Sequence, residues 1–330
     1  MTSGKPVHSK KHVLILAGYG GHVGEAYALA QHLQGKVALS FLVPEGDELS
    51  RARLSRFGRV DTLILPREPK TPHHVFVPRL LKAFVQSFRK VTREYDIVVS
   101  LGSNFCIPPA LVAWTKGIPV VNVENVVRFV KPAKTTWILQ YFSRLTALQW
   151  EEQRKILRGV VVGPLIPKPE AKPHDGGYIL VTGGTYGHKL LLETIAESNL
   201  RNVVLQTGKV DPEPYRKKHP EWKIITVTPN FQELIAGASL VVTHFGSTVL
   251  ETIAYRKHTL LIPPYTEWTR TASVEDAEFF AKKLNYVLVT EITLANLLKG
   301  IKEAAKREIP TLPDGARNLA NKILEIIHAN

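Results

Sequence analysis

Apolar residues along this chain fall in short blocks that alternate with helical patterns. Continuous apolar or β-branched runs lie near 12–17, 36–43, 60–65, 96–101, 119–123 and 145–149, and again near 178–182, 202–207, 223–227, 239–243, 258–262 and 286–289. Strands buried on both faces of a parallel sheet are apolar at every position, not every second one. Strand–helix alternation on this scale predicts doubly wound α/β sheets covered by helices. The stretch GPLIPKPEAKPHDGG, 163–177, carries four prolines and three glycines and reads as a break between two such units. The expected organisation is a first Rossmann-like domain over 1–163, a linker over 164–176 and a second Rossmann-like domain over 177–330. A final helical pattern near 314–328 is placed to cross back and brace the first domain. Two units facing each other enclose an interdomain cleft, and ligands of such sheets sit beyond the carboxyl ends of the strands.

Composition narrows what that cleft holds. The 330 residues suit about two domains, and 44% hydrophobic residues suffice for two cores. Lys and Arg number 43 against 29 acids, a net charge of +14, which calls for an anionic partner: nucleic acid, an acidic membrane surface or a phosphate-rich ligand. No nucleic-acid-binding motif appears, so no nucleic-acid partner is expected. The single cysteine, Cys106, allows no internal disulfide and suggests a reducing compartment. No apolar run approaches the ~20 residues of a membrane helix, so the expectation is a soluble or peripheral protein.

Candidate chemistry gathers where strands end. In LILAGYGGHVGEA, 14–26, a strand gives way to a helix through Gly18, Gly20 and Gly21, with His22 at the helix mouth. The glycines miss the dinucleotide spacing but allow close backbone approach to a ligand such as a diphosphate. At the positive end of a helix dipole the neutral imidazole is favoured, which leaves His22 able to accept a proton; a histidine merely satisfied within its turn is the plainer account. Glu124, in VVNVENVVR, ends an apolar strand, where a carboxylate is costly unless ligated, solvated or capping the next turn. Gly102, Ser103 and Asn104 follow another strand and open a helix. In the second half, TGGTYGHK (182–189) and VVTHFGSTVLETIA (241–254) occupy the same position. Gly246, Ser247 and Thr248 start a helix there, and its free N–H groups make an anion site. Glu251 lies on the same face of that first turn, placed to accept from ribose hydroxyls or else to complete a capping pattern with Ser247. Residues 67–93 hold seven Lys or Arg and one acid. Val77, Leu80, Leu81, Phe84 and Phe88 recur there at helical spacing, with Arg79, Lys82, Arg89 and Arg93 expected opposite. Such a helix either lies on anionic lipid or covers a sheet with a solvated basic face.

THFGSTVLETI resembles the S-H-x-G-x-x-T-x-x-E segment of inverting glycosyltransferases with two facing Rossmann-like domains, the GT-B type. It is most similar to the donor-binding subunit of the eukaryotic enzyme that adds the second N-acetylglucosamine to dolichyl diphosphate. LILAGYGGHVGEA resembles the opening of that enzyme's membrane-recruiting subunit, and that of the bacterial N-acetylglucosaminyltransferase that makes lipid II. The chain reads as a fused form of the eukaryotic pair, acceptor half first. The resemblance implies UDP-N-acetylglucosamine as donor and a polyprenyl or dolichyl diphosphate-linked N-acetylglucosamine as acceptor. A β1,4 linkage formed with inversion, in N-glycan precursor assembly, follows on the same basis. So does a peripheral location at the cytoplasmic face of the membrane.

By the same resemblance Glu251 holds the ribose, and Gly246, Ser247 and Thr248 hold the donor diphosphate. His244, Gly183, Gly184 and Thr185 line the same pocket. Gly20, Gly21, Ser103, Asn104, Asn125 and Arg128 meet the acceptor; Glu124, Asn125 and Arg128 loosely fit the E-x-N triplet of the bacterial enzyme and the V-E-S followed by Arg of the eukaryotic acceptor subunit. Either His22 or Glu124 supplies the base, or His22 binds the acceptor phosphate and Glu124 is the base. No cofactor is implied, and with no D-x-D motif or ligand cluster in the sequence no metal is expected. One departure concerns the sugar: Ser273 stands where the family often has Gln, leaving Glu267, Arg270, Glu275 or Asp276 to take over its contacts. Two other readings stay open, a UDP-N-acetylglucosamine 2-epimerase-like enzyme without lipid acceptor and a non-catalytic basic recruitment protein. A homo-oligomer is possible.

Overall fold

The computed structural model describes residues 10–18, 20–68, 71–246, 248–264 and 272–329. The first domain runs β1 (His12–Leu16), α1 (Gly21–Leu33), β2 (Ala38–Pro44), α2 (Glu48–Leu54), β3 (Arg59–Leu63), α3 (His73–Lys90), β4 (Ile97–Ser100), α4 (Ile107–Thr115), β5 (Val120–Val123), α5 (Lys134–Leu139), β6 (Leu145–Leu148) and β7 (Val160–Val161). The second runs β8 (Tyr178–Thr182), α6 (Lys189–Ile195), β9 (Val203–Gln206), α7 (Glu213–Lys218), β10 (Lys223–Ile225), α8 (Phe231–Gly237), β11 (Ala238–His244), α9 (Thr248–Ala254), β12 (His258–Ile262), α10 (Val274–Leu284), β13 (Val287–Leu288) and α11 (Leu294–Ala304). A last helix, α12 (Gly315–Ala329), follows.

Among the described residues the strands form two sheets, ordered β3-β2-β1-β4-β5-β6-β7 and β10-β9-β8-β11-β12-β13. Every pairing is parallel. All twelve apolar runs become strands; the central ones are covered on both faces and need apolar residues throughout, while the edge strands β3 and β10 stay partly exposed and carry Arg59, Asp61 and Lys223. The two-residue β7 is an addition that its length hid. In both sheets the strand order reverses beside the first strand, between β1 and β4 and between β8 and β11. At such a switch point the loops leave in opposite directions and open a crevice. The loops after β1 and β4 carry His22 and Ser103; those after β8 and β11 carry Gly184 and Gly246.

The halves are joined by packing as well as by chain. α12 buries Ala316, Leu319, Ala320, Ile323 and Ile327 in the core of the first sheet, against α1. The two connecting segments touch at Gly163 and Gly315, where a Cβ on Gly315 would stand 2.1 Å from Gly163 O. Only glycine permits that approach. Residues 164–176 are anchored on both sides: Lys168 N donates to Gln31 Oε1 at 2.7 Å, and Glu170 N to the Tyr255 hydroxyl at 2.8 Å.

Val126, Val127, Phe129 and Trp150 of the first domain share one buried cluster with Phe245, Val249, Leu250, Ile253 and Phe280 of the second. Phe129 stacks between Trp150 (6.0 Å) and Phe279 (5.9 Å). Beside them Asp276 Oδ1 accepts from Phe129 N (2.6 Å) and Val130 N (2.9 Å), while its Oδ2 caps α10 through Ser273. Asp276 is therefore not a sugar contact: it is buried and fully used as a latch between domains. Glu275 is exposed, and Glu267 and Arg270 lie outside the described residues.

Asp276→Ala would strand buried N–H groups of the 129–130 turn. We expect a loss of about 3–5 kcal/mol and, in scanning calorimetry, separation of the two domains into distinct transitions. A single transition at the wild-type temperature would show that the latch contributes nothing.

Candidate functional site

The first-domain crevice is built on three strand ends. Gly20, with φ +68°, turns the chain from β1 into α1 and caps the helix with no side chain. The His22 ring then lies between the two switch-point loops. A Cβ on Gly18 would come within 3.3 Å of its Cδ2, and one on Gly102 within 3.3 Å of its Cε1. Gly18 also leaves room for Ser103, whose hydroxyl would stand 2.5 Å from such a Cβ. Ser103 holds φ +70°, a left-handed conformation that costs a side-chain-bearing residue and often marks a functional loop. Asn104 donates to Arg67 O at 3.1 Å, tying this loop to the one after β3. His22 keeps 17% of its side chain exposed; Nδ1 is buried, and among the described residues no hydrogen bond engages Nε2. The crevice thus receives one unengaged imidazole nitrogen.

Glu124 has another task. It is 0% exposed; Oε1 accepts from Asn125 N (2.6 Å) and Oε2 from Ala133 N (3.0 Å). It folds the 125–133 loop back on β5, the capping role that was the plainer account of this residue. Burial pushes its pKa up to about 8, against the opposing pull of those two amides and of Arg128. Asn125 makes a turn by accepting from Val127 N at 3.1 Å, and Arg128 is half-buried nearby. Beneath them Gln149 and Gln153, both buried, bind the loop from below. Gln153 Nε2 donates to the carbonyls of Asn125 (2.9 Å) and Arg128 (2.8 Å), and Gln149 Nε2 to that of Glu124 (2.8 Å).

The second-domain crevice gathers Gly183, Gly184, Thr185, His244, Gly246 and Thr248; Ser247 lies outside the described residues. The His244 ring packs on both loops at once. A Cβ on Gly184 would meet its Cε1 at 3.0 Å and one on Gly246 its Nε2 at 2.7 Å. Burial, and then neighbouring His188, lower the His244 pKa to about 4, so the ring is neutral near pH 7. Gly184 N donates to Thr182 Oγ1 at 3.0 Å, fixing the first turn of its loop. Glu251, on α9, accepts from Gln232 Nε2 at 2.7 Å and pairs with Arg53 Nη1 at 3.4 Å. Burial raises its pKa, and Arg53 and Gln232 oppose that shift.

Arg53 belongs to α2 of the first domain, so the Glu251 pair spans the cleft. Tyr186, in the loop after β8, has its pKa raised by burial and then by the charges of Glu68 and Asp47. Both acids lie in first-domain loops, and α1 meets α9. The two sets of strand ends therefore face each other. Sequence reading missed Arg53, Gln232, Gln149 and Gln153; of the buried acids it also passed over Glu25, although His22-x-x-Glu25 is a visible helical spacing.

Helix α3 departs from expectation in its facing. Its inner side is made by small Ala83 and Ser87, with Leu80 and Phe84 half-buried. Val77, Leu81, Val85 and Phe88 turn outward beside Lys82 and Arg89, so the charges flank the apolar stripe and do not oppose it. With Trp114, Trp137 and Tyr141 from α4, α5 and the following turn, these seven side chains are each 51–68% exposed. Lys116 Nζ lies 5.7 Å over the Phe88 ring. Among the described residues no helix is long and apolar enough to cross a membrane.

Residues 178–328 match the family model of the glycosyltransferase family 28 C-terminal domain. The UDP-N-acetylglucosamine–N-acetylmuramyl-(pentapeptide) pyrophosphoryl-undecaprenol N-acetylglucosamine transferase of a Synechococcus strain is 28% identical, over 91% of this chain and 88% of its own. Its counterpart in Cronobacter sakazakii is 23% identical over 99% and 100%. Among solved structures, Acinetobacter baumannii MurG superposes with a TM-score of 0.62 at 19% identity, over 97% of this chain and 100% of that one. The UDP-GlcNAc 2-epimerase of Neisseria meningitidis gives 0.67 at 13%, over the same shares. The fold is the two-domain GT-B fold, and the chain is a glycosyltransferase.

A raised Glu124 pKa has a definite sign. Relative to the unfolded chain, this carboxyl favours the folded state at low pH, and that advantage is lost as pH rises through about 8. The stability of wild type relative to Glu124→Gln should therefore fall between pH 5 and pH 9, read from paired denaturation curves. A pH-independent difference would place Glu124 in an ordinary carboxylate environment.

Proposed function

We propose that the chain transfers N-acetylglucosamine from UDP-N-acetylglucosamine to a sugar carried on a polyprenyl diphosphate, with inversion, at an anionic membrane surface. The observation that carries this reading is the confrontation of two crevices: His22 on one side, with Nε2 unengaged, and the matched family 28 domain with Glu251 and His244 on the other. The curated relatives named above transfer the same sugar to a diphosphate-linked lipid acceptor, which supports the donor and the acceptor class.

In this mechanism UDP sits on the second domain. The N–H groups opening α9 meet its diphosphate, where negative charge grows as the sugar departs, and Glu251 accepts from the ribose hydroxyls. The acceptor diphosphate lies against Gly20, Gly21, Ser103 and Asn104. His22 Nε2 takes the proton of the acceptor hydroxyl as its oxygen bonds to the anomeric carbon. Glu124, held by its own loop, shapes the acceptor side without touching the proton. For the acceptor sugar itself we favour N-acetylglucosamine, giving β1,4-linked chitobiose as in N-glycan precursor assembly, on the strength of the THFGSTVLETI segment, which is most similar to the eukaryotic donor-binding subunit.

The outward stripe of α3 with Trp114, Trp137 and Tyr141 supports a peripheral site on the lipid surface. Apolar and aromatic side chains ringed by Lys and Arg enter the interface of an anionic bilayer, and here they lie on the acceptor-binding domain.

Radiolabelled UDP-N-acetylglucosamine with a short-chain prenyl diphosphate-N-acetylglucosamine should give label in the organic phase, and His22→Ala should lower kcat by roughly 10²–10⁴. Label appearing only with an N-acetylmuramyl-pentapeptide acceptor would reassign the acceptor sugar. Conversion of sugar nucleotide alone, as the epimerases catalyse, would overturn transfer.

Leu81→Glu with Trp137→Glu should weaken binding to phosphatidylglycerol vesicles by about tenfold or more, with transfer to a water-soluble acceptor kept within about twofold. Unchanged flotation with vesicles would remove the membrane role of this face.

A further inference from the structure

His22 and Glu25 stand three residues apart at the start of α1, a spacing that brings side chains together on one helix face. His22 Nδ1 is 3.5 Å from Glu25 Oε2. Both atoms are buried, and neither has a hydrogen-bond partner. Glu25 is 1% exposed, and its other oxygen accepts from Gln149 Nε2 at 2.6 Å. Gln149 is fixed in turn: its N–H donates to Gln153 Oε1 (2.7 Å) and its Oε1 accepts from Leu165 N (2.8 Å). A carboxylate is costly to bury unless its lone pairs are met. Here one oxygen is met by a rigid amide, and the other is aimed at an imidazole.

Given the transferase reading above, we propose that Glu25 is a positioning residue for His22, holding the proton on Nδ1 so that the Nε2 lone pair faces the cleft. With a carboxylate at Glu25, only that tautomer satisfies both buried atoms. With the proton on Nε2, the Nδ1 lone pair would confront a carboxylate oxygen, and both would stay unpaired. At 3.5 Å the contact is longer than a formed N–H···O bond, as such contacts often are before substrate binds. In the transfer step the acceptor hydroxyl proton passes to Nε2. Its oxygen bonds to the anomeric carbon, and the bond from that carbon to UDP breaks, its electron pair leaving on the diphosphate. The imidazolium then carries its new charge beside Glu25, which keeps the Nδ1–H bond and takes no proton. The pair divides its work as the histidine and acid of a hydrolytic triad do, with the acid orienting and never taking the proton.

Side-chain ¹⁵N NMR of the full chain reads the tautomer without any substrate. Wild-type His22 should be the Nδ1–H form. In Glu25→Gln the new amide has a single acceptor oxygen, which Gln149 Nε2 claims; its NH₂ then faces Nδ1 and inverts the tautomer. For that variant kcat should fall by roughly 10²–10⁴ while KM for both substrates stays within about twofold. Calorimetric binding of UDP-N-acetylglucosamine at wild-type affinity would show that the fold is kept. An Nε2–H form in the wild type overturns the role of Glu25, and that measurement decides the matter even if the variant fails to fold. So does a Glu25→Gln enzyme with kcat within about threefold of wild type. A wild-type chain that transfers no sugar to any prenyl diphosphate acceptor defeats the transferase reading instead, and leaves the tautomer result standing.

Discussion

The arrangement depends on one constraint: two parallel sheets must present their switch points to each other. A switch point is a crevice only because neighbouring loops diverge, and it opens wherever its sheet's carboxyl edge points. Here both edges are turned inward by contacts that a two-domain chain could easily lack. The connecting segments cross at Gly163 and Gly315 with no room for a side chain. α12 returns to complete the first core, so the second domain cannot swing away without stripping apolar surface from α1 and the first sheet. Asp276 and the stack around Phe129 then fix one side of the junction, and Arg53 with Glu251 bridges the cleft itself. These contacts differ in strength. The apolar cluster and the Asp276 latch are buried, whereas Arg53 and Glu251 meet at 3.4 Å with Arg53 a quarter exposed. A part-exposed pair at that distance is worth little net stability. It is the contact that a ribose competing for Glu251 would displace most readily.

Beneath the first-domain crevice the polar groups form a connected set, and this explains how the loop that carries the buried Glu124 keeps its conformation. Gln149 and Gln153 between them bond to Glu25, to the carbonyls of residues 124, 125 and 128, and to the N–H of Leu165. Each link stands in for a hydrogen bond to water that burial removes, and a missing member would leave several partners unsatisfied. The result is a rigid floor under residues 124–130. The same residues furnish the Val126, Val127 and Phe129 side chains that pack against the second domain. The 124–130 loop and the domain junction are one piece of backbone, so the position of the second domain and the shape of the first-domain crevice are mechanically linked.

Much of the fold was legible because parallel strands leave a clear trace: each of the twelve apolar runs is a strand, and only the two-residue β7 adds to them among the described residues. The strand ends that carry His22, Ser103, Glu124, Gly184 and Gly246 followed directly from that pattern. What escaped was whatever depends on facing or on distance in sequence. The period of α3 was correct, but a periodic stripe does not say which side meets the core. Two small residues, Ala83 and Ser87, took the inner side and left the larger apolar residues outside. Arg53 and Glu251 are 198 residues apart, with nothing local to mark them as partners. Gln149 and Gln153 lie just past a strand in a run of polar residues, where burial is not expected. Glu124 was placed correctly at its strand end, but the amides it engages were not foreseen, because a sequence does not show which backbone N–H groups a carboxylate will find.

The net charge of +14 and the outward face of α3 belong to one account. Apolar side chains at this exposure cost free energy in water, and a basic surround only adds solubility. Both features become favourable together at an anionic interface, where the stripe finds hydrocarbon and the cations find phosphate. That face is borne by α3, α4 and α5, and the loops that carry Ser103 and residues 124–133 run directly into α4 and α5. On the transferase reading proposed above, an acceptor whose lipid stays in the bilayer has to deliver its diphosphate to such loops without leaving the membrane. On that same reading the chain comes to the interface with these helices leading. A second domain loaded with soluble UDP-sugar can then remain in water, and only the reacting sugar has to cross the cleft.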